Sequence, residues 1–359
     1  MTRRKSILFI NTNKVWGGGE KWHYDMASLL YKRNYSVNVF AHCDGDLIKR
    51  CSEANIPVSG IKINKLSFLD PLALVLLKKR IVRIRPDVVI LNLPSDMKAA
   101  GLAAKLAGVE NILYRRGTAL PVNPHPVNRW FFRNVLSGVI VNSRKTRELI
   151  NERCKLIDDD KIHVVYNGID EIPQEEEIQP ILPGKLIIGN AGRLEHQKGQ
   201  YRLIELALSL KEEGLDFEIR IAGSGPLHEQ LQKEIIQNGL QNEVKLLGFM
   251  DDMSVFYSSI SVFVLPSSWE GFGYVMAEAM AHRRPVIAFD VSSNPEIVSH
   301  DENGYLVPFG DINQLKEQLI TLAGNRDLLD ELGRNARRMV LEKFTLERAA
   351  AQIENIINL

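Results

Sequence analysis

Cysteine is scarce in this sequence. Cys43, Cys51 and Cys154 are the only three in 359 residues. An odd number cannot all pair within the chain, and none sits in a C-x-x-C. Both facts argue against a disulfide scaffold and a structural zinc site. Long apolar runs are missing as well, since no stretch approaches the ~20 residues needed to cross a bilayer. The start Met1-Thr2-Arg3-Arg4-Lys5 is basic like that of a signal peptide. The apolar run behind it, Ile7-Leu8-Phe9-Ile10, is too short for one and ends in Asn11-Thr12-Asn13. A reducing, cytoplasmic protein is the expectation. There is no excess of one charge, because 45 Lys+Arg face 44 Asp+Glu and leave a net +1. Nothing global therefore points to nucleic acid. The eight histidines form no H-E-x-x-H or other metal spacing. Gly 25 and Pro 15 are ordinary, which excludes collagen-like and low-complexity architectures.

What is present is a repeated alternation of short apolar runs with helical patterns. In the first half the predicted strands are Ile7–Ile10, Val37–Ala41, Val58–Ile63, Val88–Leu91, Ile112–Tyr114, Val139–Val141 and Val164–Tyr166. Several are apolar almost throughout, as parallel strands covered on both faces are. Helical patterns cover Lys21–Arg33, Leu72–Ile84 and Met97–Ala107. An acidic, proline-punctuated stretch, Asp170 to Pro183-Gly184, then reads as a linker. Beyond it the predicted strands are Leu186–Asn190, Phe217–Ile221, Val244–Leu247, Val262–Leu265, Val286–Ala288 and Tyr305–Val307. Helices are expected over Tyr201–Lys211, Leu227–Gln237, Tyr274–Ala281 and Leu315–Ala323, with a helical tail from Arg326 broken near Phe344-Thr345. The fold class is therefore α/β, with two Rossmann-like domains, residues 1–170 and 184–343, facing across a cleft.

The polar loops at strand ends carry the chemistry. Arg193 and Lys198 share one loop before a helix. A guanidinium and an ammonium there suit a diphosphate, and two solvated surface cations would look the same. Gly223 and Gly225 form a Gly-x-Gly turn that lets backbone approach a ligand, or is a tight βα turn and nothing more. The segment from Pro266 to Met280 is the most specific. Glu270 precedes the glycine turn Gly271-Phe272-Gly273, and Glu278 follows inside a helix. Eight helical residues span roughly 12 Å, whereas the two carboxylates of a glycosidase lie about 5 to 9.5 Å apart. The spacing favours hydroxyl recognition at two ends of an extended ligand over joint action on one bond. Helix-start amides at Gly271–Tyr274 would serve oxygens between them.

Glu270-x7-Glu278 with its internal Gly-Phe-Gly resembles the signature of family 4 of the retaining glycosyltransferases of the GT-B fold. Arg193 followed by Lys198-Gly199, the segment Val164 to Asp170, and Gly17-Gly18-Gly19-Glu20 after the first strand fit the same family. The resemblance spans essentially the whole chain and implies roles. Glu278 would bind the nucleotide ribose, and Glu270 the donor sugar hydroxyls. Amides around Phe272 and Gly273 would support sugar and phosphate oxygens. Arg193 and Lys198 would hold the diphosphate as it leaves. Gly17 and Gly18 would bring backbone to the phosphates, Gly223 and Gly225 would lie close to the nucleotide, and Phe249-Met250 beside the base. Cations and N–H dipoles can stabilise a leaving diphosphate without a metal. No metal or other cofactor is expected, although Asp44/Asp46 and Asp158/Asp160 have the Asp-x-Asp spacing of metal-dependent sugar transferases. The resemblance further implies that the last helix, from about residue 344, returns to the first domain.

One departure stands out. Many family members carry a histidine after a first-domain strand, near the reacting carbon, where this chain has Tyr114-Arg115-Arg116-Gly117-Thr118. Arg116 is the candidate functional residue there, and an arginine bound to backbone carbonyls is the alternative. Arg129 and Arg133 share a helical face around Trp130, Phe131 and Phe132. These aromatics are core residues or the contact to a lipid-linked acceptor, with core favoured. The function expected is sugar transfer from a nucleotide-diphosphate-sugar to a glycan or lipid-linked glycan, for cell-surface polysaccharide or lipopolysaccharide. A nucleotide-sugar epimerase and a non-catalytic nucleotide-sugar binder are the alternatives. A lipid-linked acceptor would add a weak peripheral contact at the inner membrane face, through Arg129/Arg133 and Arg3-Arg4-Lys5.

Overall fold

The computed structural model describes residues 4–181 and 184–358. Arg3 of the basic start and Pro183 of the expected linker lie outside the described residues. Two compact units are formed, Met1–Asp170 with Leu346–Leu359, and Glu171–Thr345.

The first unit opens with β1 (Ser6–Asn11), α1 (Gly18–Lys32), β2 (Ser36–His42), α2 (Asp46–Glu53), β3 (Val58–Ile61), α3 (Pro71–Ile84) and β4 (Val88–Leu91). It continues with α4 (Pro94–Leu106), β5 (Asn111–Arg116), α5 (Pro126–Asn134), β6 (Gly138–Val141), α6 (Arg144–Asn151) and β7 (Ile162–Val164). The second unit runs through β8 (Leu186–Ala191), α7 (Arg202–Glu212), β9 (Phe217–Ala222), α8 (His228–Gln237), β10 (Val244–Gly248), α9 (Met253–Ser258) and β11 (Val262–Leu265). Then come α10 (Tyr274–Ala281), β12 (Val286–Phe289), α11 (Asn294–Ile297), β13 (Gly304–Val307), α12 (Ile312–Gly324) and α13 (Arg326–Lys343). The last helix, α14 (Leu346–Asn358), belongs to the first unit.

Among the described residues each unit holds one sheet, ordered β3-β2-β1-β4-β5-β6-β7 and β10-β9-β8-β11-β12-β13. Neighbours pair in parallel, so crossover helices cover both faces. This is why β1, β4, β6, β11 and β12 are buried at every position. In each sheet the strand order reverses beside the first strand, between β1 and β4 and between β8 and β11. Ligands of open α/β sheets bind outside the carboxyl ends of strands at such reversals.

The first sheet is packed on one face by Met97, Ala100 and Phe132. On the other face lie Trp22, Met26 and Leu30 of α1, joined by Ala349, Ala350, Ile353 and Ile357 of α14. Arg33 pairs with both Glu347 and Glu354. The strand expected at Val164–Tyr166 lies two residues earlier. Residues 162–164 pair with β6, and the Val165 N–H makes a last bond to the Val141 carbonyl before the chain turns away.

Candidate functional site

In the second unit the loops after β8 and β11 emerge side by side at the reversal. One carries Arg193 and Lys198, the other Glu270, Gly271, Phe272 and Gly273. Lys198 Nζ lies 2.6 Å from Glu270 Oε1, with side chains 14% and 7% exposed. The same oxygen accepts the Ser267 hydroxyl at 2.8 Å. A carboxylate this buried must be paired and hydrogen-bonded, and here both conditions are met. The Glu270 backbone carbonyl accepts from Ser292 Oγ at 2.8 Å and Ser293 Oγ at 3.0 Å. Gln197 fastens the two loops, its carbonyl accepting from Ser268 N at 2.8 Å and its amide donating to the Trp269 carbonyl at 2.8 Å. Arg193 stands apart from this network, its side chain 59% exposed and paired with Glu195 at 3.1 Å.

Gly273 precedes α10 with φ of 75°, and a Cβ there would lie 2.6 Å from Met276 Cε. The Phe272 ring is buried, 5.3 Å from the Phe344 ring and 5.8 Å from that of Tyr274. It is a core group. Glu278 lies on α10. Its Oε2 accepts the Tyr257 hydroxyl at 2.8 Å. Burial first, and then the Glu278 charge, push Tyr257 well above the usual phenol range, so it remains a donor. His282 Nδ1 is 2.9 Å from the Glu278 carbonyl and Nε2 is 3.2 Å from Ser254 Oγ. A carbonyl only accepts, so Nδ1 carries the proton. Burial lowers the histidine, which keeps the ring neutral. Gly223 (φ 138°) passes so close to the β8 loop that a Cβ would lie 1.9 Å from the Gly192 carbonyl oxygen. Gly225 is similarly packed on the Leu194 backbone. Phe249 is exposed and Met250 half-buried just after β10.

The reversal in the first unit is also polar. Gly17 and Gly18 open α1 there. Behind them Asp96 is fully buried, accepting Thr12 N at 3.1 Å, Leu93 N at 3.3 Å and the Thr12 hydroxyl. Burial raises it to about 6 against the pull of these bonds, and Glu20 pushes the same way. Glu20 accepts from Asn11 Nδ2 at 3.0 Å. His23 is lowered to about 3 by burial and then by the Arg115 charge, and is neutral. Arg115 is 4% exposed, donates to Asn167 Oδ1 at 3.1 Å and lies 5.2 Å from the centre of the Trp22 ring. Arg116, favoured from sequence, instead donates to the Leu120 carbonyl at 2.6 Å. Arg115 is the arginine turned into the polar cluster.

The sequence did not single out Ser267, Tyr257, His282, Ser292 or Asp96. Tyr257, His282 and Ser292 act across elements far apart in the chain, and no local pattern marks them, whereas Ser267 lies three residues before Glu270 on the same loop. Asp96 had a local signal, lying two residues after Pro94 at a helix start, where an acid can accept from the N-cap N–H, as it does from Leu93 N. Asp44 pairs with Lys62, and Asp158 with Lys155 and Lys161. Among the described residues no three His, Cys, Asp or Glu side chains gather as a metal ligand set. On α5, Phe131 and Phe132 are core, whereas Trp130 is exposed with Arg129 and Arg133. Trp130 thus departs from the favoured core assignment. Among the described residues no helix is long and apolar enough to cross a membrane.

Residues 171–339 match the family described as Glycosyl transferases group 1, and residues 16–171 that described as Glycosyltransferase Family 4. An uncharacterized glycosyltransferase of Methanocaldococcus jannaschii is 30% identical over 271 residues, 73% of this chain and 72% of that one. The lipopolysaccharide core biosynthesis mannosyltransferase LpcC of Rhizobium leguminosarum is 29% identical over 207 residues. That match covers 54% of this chain and 59% of LpcC, less than two thirds of its length. The crystal structure of Anabaena HepE in complex with UDP-glucose has the same fold, with a TM-score of 0.82 and 22% identity over 99% of this chain and 100% of that one.

Proposed function

Because the chain belongs to the group 1 glycosyltransferases and has the two parallel α/β sheets of their GT-B fold, we propose that it moves a sugar from a nucleoside-diphosphate donor to a glycan or lipid-linked glycan. The reaction proposed retains the anomeric configuration, takes place in the cytoplasm and serves a cell-surface polysaccharide or lipopolysaccharide. The observation that carries this reading is the bonded Lys198–Glu270 pair at the strand reversal of the second unit. An ammonium beside a sugar-binding carboxylate puts a cation where the bond from sugar to diphosphate breaks. Negative charge grows on the leaving diphosphate, and a cation already in place stabilises it without reorganising. Arg193 adds a second charge from the same loop, and backbone around Phe272 and Gly273 adds N–H dipoles. Glu278, fixed by Tyr257, takes the ribose hydroxyls. Gly223 and Gly225 admit the nucleotide, and Phe249-Met250 flank the base. The UDP-glucose in HepE supports a uridine donor, and the name of LpcC supports a lipopolysaccharide product.

Retention would ordinarily suggest a carboxylate nucleophile. Glu270 is already bonded to Lys198 and Ser267, which suits a hydroxyl acceptor that orients the sugar. Attack then comes from the same face as departure, the leaving phosphate taking the acceptor proton. Purified protein should release sugar from one member of a nucleotide-sugar panel, faster with its acceptor, and NMR of the product should show the donor's anomeric configuration. A covalent sugar ester on Glu270 would overturn the assignment, and an epimerised donor with no transfer would overturn the reaction class. Turnover should survive excess EDTA. A collapse restored by Mg²⁺ would show that a metal takes part.

A further inference from the structure

Exposed apolar side chains of the first unit gather around α3. Leu66 and Leu69 precede it, Leu72, Val75, Leu76 and Val82 lie on it, and all are 45% to 68% exposed. The helix meets its unit through Leu77 and Ile81, which are buried. Positions 72, 75, 76, 79, 82 and 83 follow helical spacing along the outward face. An amphipathic surface helix needs one apolar stripe, and this one has two. Cations interleave the outer stripe. Lys79 and Arg83 sit within it, Lys78 and Arg85 at its margin and Lys65 before it, all exposed and, among the described residues, none in an ion pair. Asp70 is the single acid in residues 62–85, and its Oδ1 is engaged at the helix start by Leu72 N at 2.9 Å and Ala73 N at 3.1 Å.

The exposed positions of α3 hold aliphatic and cationic side chains plus Pro71, and no Ser, Thr, Asn or Gln. A protein partner would be met by hydrogen bonds, about one per 100–200 Å² of interface. A bilayer surface needs none, since acyl chains take the aliphatic groups and headgroup phosphates the cations. We propose that the α3 face seats the first unit on an anionic lipid surface. The contact lies on α3, and α5 with Arg129 and Arg133 offers only Trp130 among its aromatics.

The test is sedimentation of the full chain with phosphatidylcholine vesicles, with and without phosphatidylglycerol. It does not depend on sugar transfer. Binding is expected only with phosphatidylglycerol, and should fade in 1 M salt, where the Debye length is about 3 Å. Each lost cation is worth about fivefold, so Lys79→Glu/Arg83→Glu should cut binding by about 25-fold or more. Leu72→Asn/Leu76→Asn should cut it comparably while leaving the remainder salt-sensitive. Arg129→Glu/Arg133→Glu should leave it near wild type. All these positions are exposed, and unchanged thermal melts would show that the variants fold. No wild-type binding to the anionic vesicles, or full binding by both α3 variants, would overturn the proposal. A wild-type dimer that Leu72→Asn/Leu76→Asn makes monomeric, with no vesicle binding, would assign the face to a second copy instead.

Discussion

The Lys198–Glu270 pair joins stability to function, and two substitutions separate them. On the role proposed for Lys198, Lys198→Ala should remove a charge-assisted contact of ~1.5–3 kcal/mol to the leaving diphosphate and lower turnover about 10- to 100-fold. It also strands a buried carboxylate. Lys198→Ala/Glu270→Gln should recover stability relative to Lys198→Ala, because a neutral amide needs no cation, yet turnover should not recover. Unfolding curves beside single-turnover rates check both, and near-normal turnover in Lys198→Ala would remove it from the diphosphate site. Arg193→Ala should lower turnover and hardly touch stability, since its ion pair is exposed and such pairs contribute little. In the first unit two buried groups oppose each other with pH. His23, lowered to about 3, favours the fold above pH 6.5, and this is lost as pH falls toward 3. Asp96, raised to about 6, favours the fold below pH 4, and this is lost as pH rises toward 6. The shift of His23 is larger, so acid should weaken the first unit. Amide exchange in β1 between pH 4 and 7 is the measurement. Asp96→Asn should steepen the acid loss, and His23→Gln should reverse its sign.

At the level of elements, backbone contact between the β8 and β9 loops dominates. Gly223→Ala would force a Cβ to within 1.9 Å of the Gly192 carbonyl oxygen at a φ of 138°. It should cost more than ~2 kcal/mol and displace the loop that bears Lys198. Gly239 also has positive φ (62°), but nothing lies within 4 Å of a Cβ there. Gly239→Ala should cost only about 1–2 kcal/mol and leave donor binding intact. Urea unfolding and donor titration of the two variants make the comparison, and similar losses of donor affinity would contradict it. Elements with near-continuous apolar runs were legible whatever their length, as in the four residues of Val262–Leu265 and the eight of Tyr274–Ala281. The short helices α2, α6, α9 and α11, of four to eight residues, were not. So few turns carry too little periodicity, and tertiary packing decides them. The site was legible where charge and glycine cluster locally, at Lys198 and Gly271-Phe272-Gly273. It was hidden where a partner comes from another element. Tyr257 meets Glu278 across a helix and a strand, and strand alternation turned Arg115 inward in place of Arg116.

Over the whole molecule, the chain leaves the first unit at Asp170 and re-enters it at Leu346. Helix α14 then completes a core that includes Trp22, Met26 and Leu30. Removing residues 346–359 would uncover that core and free Arg33 from both its carboxylates. Burying Ile353 and Ile357 alone is worth about 3–6 kcal/mol. The truncated chain should therefore show a loosened first unit, with rapid amide exchange in α1, and an unaltered second unit. Equal protection of α1 in the two proteins would mean that α14 is dispensable. The same threading sets an order on the ribosome. Every residue of the second unit emerges before α14 does, so the unit begun first is the one finished last. Until α14 emerges, Trp22, Met26 and Leu30 lack its cover, and the nascent chain offers a chaperone an apolar surface that the folded first unit no longer has.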